Sequence, residues 1–133
     1  MKRAALVLAL VAVGGVGCRT TTAMDVCIQF VHAGFATHCH EVKPEGLGAS
    51  AVERVEFTLE PPYKNDEGGE AGGSVLRYDS KDKFENVIKS YEEFRVLAGP
   101  HRYENRSKMI FVQMNSGASM DIGRKAKGIV EGL

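Results

Sequence analysis

From residue 52 to 60 the chain alternates between apolar and polar positions. Val55, Phe57 and Leu59 fall on one side of an extended backbone, and Arg54, Glu56, Thr58 and Glu60 on the other. A period of two predicts a strand with one buried face. SVLRYD, at 74–79, predicts a second short strand antiparallel to the first. The period then lengthens. Between 80 and 99, Phe84, Val87, Ile88, Tyr91 and Phe94 recur at the spacing of one helical face, with Lys83, Glu85, Asn86, Lys89 and Glu92 opposite. Ser80 stands where an N-cap accepts from the first turn, and Gly99-Pro100 stops the helix. KMIFVQMN, at 108–115, is apolar on both faces, which predicts an interior strand. NSGAS then turns into a last helix, whose stripe is Ile122, Ala126, Ile129, Val130 and Leu133.

The segment ahead of these elements is more ambiguous. Val26, Ile28 and Phe30 alternate with Cys27, Gln29 and Val31, which predicts a strand. His32 to Gly34 would be a three-residue hairpin loop with Gly34 in the left-handed conformation. In that register Cys27 faces Cys39, within reach of a disulfide. Cys27, Ile28, Val31 and Phe35 also fit a helical stripe, and periodicity does not separate the two readings. KPEGLGAS, at 43–50, reads as a loop, and so does the longer Pro-, Gly- and charge-rich stretch at 61–73. The expected fold is α+β: a small single-domain two-layer sandwich, with one mostly antiparallel sheet of three to five strands covered by two helices.

The first residues change the picture by naming a compartment. Lys2 and Arg3 precede an apolar run from Ala4 to Val13 and then small residues ending in GVGC. A charged start, a short apolar run and a small-residue end predict a secretory signal peptide over 1–17. A relaxed membrane span needs about 20 apolar residues, more than this run supplies. GVGC resembles the lipobox of bacterial lipoproteins, in which the cysteine is acylated and becomes the mature N-terminus. It departs from the usual pattern at Gly15, where an aliphatic residue is common. The resemblance implies lipidation at Cys18, a tether over 18–23 and a folded domain over 24–133. In Gram-negative lipoproteins an Asp after the cysteine retains the protein in the inner membrane. Arg19 implies the outer membrane instead, with a periplasmic or secreted soluble protein as the alternative.

Cysteine parity supports that reading. An exported chain with three cysteines leaves one odd thiol. Lipid on Cys18 leaves Cys27 and Cys39 as a pair.

Charge excludes one class. Without Lys2 and Arg3, 15 basic residues remain against 17 acidic ones. Nucleic-acid-binding domains carry a strong basic excess, so no nucleic-acid partner is expected.

Candidate chemistry is sparse. His32, His38 and His40 crowd near the two cysteines, and with His101 they offer an alternative reading as a metal site. Their spacing matches no common zinc pattern. No cofactor is expected. Glu92 and Glu93, with the acidic residues of the 61–73 loop, read as solvated surface. Ser116 and Ser119 lack the G-x-S-x-G context of a nucleophile, and Ser119 suits a helix cap. Arg102, Arg106, Lys108, Arg124, Lys125 and Lys127 form a candidate interaction patch. Together these features predict a lipid-anchored envelope protein that acts by binding or assembly rather than catalysis. Its partners would be the membrane and another envelope protein.

Overall fold

A computed structural model describes residues 19–60 and 68–133. The expected leader at 1–17, Cys18 and most of the 61–73 loop lie outside the described residues. The elements run α1 (Ala23–His32), β1 (Ala36–Val42), β2 (Glu53–Leu59), β3 (Gly72–Arg77), α2 (Lys81–Glu93), a short α3 (Arg95–Ala98), β4 (His101–Asn105), β5 (Ile110–Met114) and α4 (Met120–Glu131). The five strands form one open sheet in the order β1-β2-β3-β5-β4, antiparallel at every pairing. The architecture is α+β in one small domain, as the periodicities predicted.

Alternation in the strands sorts the side chains into two cores. Val55, Phe57 and Leu59 of β2, Val75 of β3, and Ile110, Val112 and Met114 of β5 point to one face. There they meet Ala23, Val26, Cys27 and Phe30 of α1 and Ile122, Ala126 and Val130 of α4. Phe30 anchors this core, with ring centroids 5.0 Å from Phe35 and 5.5 Å from Phe57. Burying each such ring contributes on the order of 1.5–3 kcal/mol.

The opposite face is covered only in part. Leu76 and Phe111 carry Tyr78 and the Phe84 and Val87 face of α2. The two-layer arrangement therefore holds under α1 and α4, and α2 adds a partial third layer. β5 is interior, between β3 and β4, as its apolar faces implied.

Two elements differ from expectation. The segment predicted as a strand at 26–31 is the helix α1. Thr22 and Asp25 close a reciprocal capping box: Asp25 N–H donates to Thr22 Oγ1 at 3.0 Å, and Thr22 N–H to Asp25 Oδ2 at 2.9 Å. The residues it buries, at 23, 26, 27 and 30, follow i, i+3, i+4, i+7 spacing. The folded unit thus begins at the Thr22 cap, inside the span expected to be tether. The second difference is β4, whose sequence HRYEN carries almost no hydrophobic signal. In addition, the helix predicted over 80–99 stops at Phe94, which is half-exposed instead of joining the buried stripe.

Candidate functional site

Cys27 and Cys39 are joined by a disulfide, with Cα atoms 6.1 Å apart. The bridge runs from helix to strand instead of across a hairpin. Cys27 sits on the buried face of α1. Cys39 reaches it because β1 carries a bulge. Thr37 pairs with Thr58 and His40 with Glu56, so three steps along β1 match two along β2. The extra residue turns Cys39 toward α1 and leaves His40 opposite Glu56 on the outer face. His38 takes up the distortion with φ of 54°, a left-handed conformation rare for a residue with a side chain.

The four histidines do not converge. His32 is exposed in the last turn of α1, and His38 is exposed at the bulge. His40 Nδ1 lies 2.8 Å from the His38 carbonyl oxygen, and Nε2 is 3.9 Å from Glu56 Oε2. His101 belongs elsewhere. It is 1% exposed in the core, with Nε2 2.8 Å from the Ala118 carbonyl and Nδ1 3.0 Å from Tyr103 Oη. Both ring nitrogens are thereby engaged, which corrects the reading of His101 as a metal ligand. Among the described residues no group of three or more His, Cys, Asp or Glu side chains is arranged to hold a metal.

The candidate basic patch is dispersed and largely paired. Arg102 Nη1 donates to the Tyr91 carbonyl at 2.8 Å and to Glu92 Oε2 at 3.3 Å. Arg106 pairs with Glu85 and Glu104, Arg124 with Asp121, and Lys127 with Glu131. Lys108 and Lys125 are exposed, and among the described residues neither has an ion pair. Arg102 faces α2, whereas Lys125 and Lys127 lie on α4 across the sheet, with Arg102 and Lys127 meeting only at the cleft beside β4. Glu92 also meets Arg95 at 3.5 Å, consistent with a solvated helix face. Ser119 caps α4 by accepting from Ile122 N–H at 3.2 Å, as expected.

Polar groups that the sequence did not mark tie the sheet to the helices α1 and α4. Glu53, at the start of β2, accepts from Ala23 N–H at 2.8 Å and meets Arg77 Nε at 2.9 Å. Burial alone would raise the Glu53 pKa, but the hydrogen bonds from Arg77 and from Ala23 N–H hold it below the usual carboxylate value. At the other side of the sheet, Asn105 donates to the Val130 carbonyl at 2.9 Å and accepts from Ser107 Oγ and Lys108 N–H. Burial pushes the Tyr78 hydroxyl up to about 12 and raises Tyr91 and Tyr103 as well, so all three phenols stay neutral at ordinary pH.

Two open clefts adjoin the sheet. One, about 400 Å³, lies on the uncovered polar sheet face among His40, Arg54, Glu56, Ser74 and Gln113. The other, about 300 Å³, runs beside β4. Arg102, Tyr103 and Glu104 form its floor, Ile88 and Glu92 of α2 one wall, and Lys127 and Glu131 of α4 the other. Among the described residues neither cleft sets a nucleophile against a base.

Comparison of the chain with protein-family models, curated proteins and solved structures finds no match, and hence no enzyme family to which it could be assigned. No helix among the described residues is long and apolar enough to cross a membrane.

Proposed function

We propose that this chain is a lipid-anchored protein of the bacterial outer membrane whose folded domain acts by binding or assembly, without catalysis. The observation that carries the proposal is the pairing of Cys27 with Cys39. Of three cysteines it leaves Cys18 alone, at the end of an apolar leader and within the lipobox-like GVGC. A stapled pair suits an oxidising compartment, where an unmodified odd thiol would be a liability. Acylation removes that liability and supplies the anchor, since each buried methylene adds roughly 0.8 kcal/mol of membrane affinity.

The domain then sits close to the lipid surface. Only Arg19 to Thr21 separate Cys18 from the Thr22 cap, and Arg19 is itself 3.3 Å from Asp25. Binding is favoured over catalysis because the open clefts carry paired charges and sheet backbone instead of a reactive constellation.

The test is the intact mass of protein extracted from its own envelope, alkylated before and after reduction. The expected result is a chain beginning at Cys18 with acyl chains attached, and two thiols that appear only after reduction. An unacylated chain, or one cut at another residue, would sink the anchor.

A further inference from the structure

We propose that the free edge of β4 is a self-association surface, joining two copies of this chain through antiparallel β4–β4 pairing into one continuous sheet. Among the described residues β4 pairs with β5 alone. Every second backbone N–H and C=O along it therefore points away from the sheet, and no hydrogen bond from another element among the described residues meets them. Such groups are a template for another strand. The edge is also regular, since His101 to Asn105 pair with Met114 to Ile110 without a bulge.

The occupant is argued from charge. The strand reads His-Arg-Tyr-Glu-Asn, with Arg102 and Glu104 placed symmetrically about Tyr103. Antiparallel pairing about a two-fold axis through Tyr103 sets Arg102 against the partner's Glu104, and Glu104 against the partner's Arg102. Both pairs lie on the α2 face of the sheet. A two-fold axis through Arg102 or Glu104 instead sets like charges directly opposite each other, which is unfavourable. The pattern therefore selects one register as well as permitting association. It is also self-complementary, as an isologous interface requires.

The cleft walls repeat the pattern. Lys127 and Glu131 lie one turn apart on α4 with their charged ends 3.8 Å from each other. A two-fold operation that reverses the β4 direction also sets two α4 helices antiparallel, which brings the Lys127 and Glu131 of each copy to the same seam. This inference rests on strand geometry and charge order, and it stands or falls independently of the lipid anchor.

The opposite edge does not offer the same surface. β1 is kinked by its bulge and carries two exposed histidines there, which disfavours an added strand.

The test is sedimentation equilibrium of the purified full chain over a wide concentration range, in solvent density-matched to any bound detergent. The wild type is expected to show a reversible monomer–dimer equilibrium. Glu104→Arg and Arg102→Glu should each weaken dimerisation by at least about tenfold, because like charges then meet across the axis. The double swap, R102E with E104R, should restore it. Arg102→Glu also gives up bonds to Glu92 and Tyr91, whereas Glu104→Arg gives up only an exposed ion pair to Arg106, which keeps Glu85, so Glu104→Arg with unchanged circular dichroism is the cleaner single variant. A wild type that stays monomeric at every concentration overturns the proposal and leaves the slot to a strand from another protein. A dimer indifferent to both reversals, or one that the swap fails to restore, overturns it too.

Discussion

The two edges of the sheet are built on different principles. At β1 an extra residue bends the strand, a left-handed His38 holds the bend, and a disulfide ties the result to α1. At β4 the strand is straight and its support comes from polar groups. His101, Tyr103 and Asn105 point to α4, where they bond one another, the Ala118 carbonyl and the Val130 carbonyl. One edge is closed by covalent chemistry and distortion. The other is held from behind by hydrogen bonds, so its outer side stays free to pair. The contrast teaches that an edge can be secured without being blocked.

Breaking the β1 side should have the largest effect. Cys27→Ala with Cys39→Ala is expected to cost about 3 kcal/mol, the loop-closure value for a bridge of this span. Urea denaturation against the oxidised wild type measures it. Amide exchange should rise along β1 while β4 keeps its protection. Equal loss at both edges would show that the staple supports the whole sheet and would erase the contrast.

The matching change behind β4 is Gly123→Ala. A Cβ there would sit 2.5 Å from Tyr103 Oη and 2.7 Å from His101 Nδ1, so α4 or the hydrogen-bonded pair must move. Overpacking of this kind costs about 1–3 kcal/mol. Thermal unfolding should register the loss, and exchange should now rise in β4 first. An unchanged midpoint would mean that the His101–Tyr103 pair is not a rigid support.

The smallest effect is expected at the bulge. His38 is exposed, so its ring gives up little packing when removed. His38→Gly trades a left-handed penalty for a lesser cost in backbone freedom and should stabilise by roughly 0.5 kcal/mol. His38→Val should destabilise instead. If both variants unfold like wild type, the distortion carries no strain.

The legibility of this fold follows the kind of side chain that lines each element. β2, β5, α2 and α4 bury apolar residues at a clear period, and they stand close to where the sequence placed them. β4 also alternates, but its buried members are His101 and Asn105, with Tyr103 between them. Their burial is made tolerable by partners from α4 and the turn before it, which no local window contains. α1 failed for a different reason. Its residues satisfy both a period of two and a helical stripe, and the deciding signal was the Thr22–Asp25 cap at its start. The cysteine pairing came out right through the wrong geometry, because Cys39 faces inward only by virtue of the bulge. His32, His38 and His40 were gathered by nearness in sequence and His101 was added to them, whereas the fold puts His32 on α1, His38 and His40 at the β1 bulge and His101 in the core.

The order of strands also sets a timetable. Cys27 and Cys39 are only 12 residues apart and precede β2 through β5 in the chain. Both sulfurs are therefore in place early, and pairing with β2 is the one further step that forms the bulge and turns Cys39 toward α1. β2 and β3 then add to β1 in turn, each beside its predecessor. β3 must wait, because its outer neighbour is β5, made after α2 and β4. During that interval the exposed edge is that of β3, in the middle of the finished sheet. The chain is then most vulnerable to pairing with the wrong strand, and it stays so until the β4–β5 hairpin arrives.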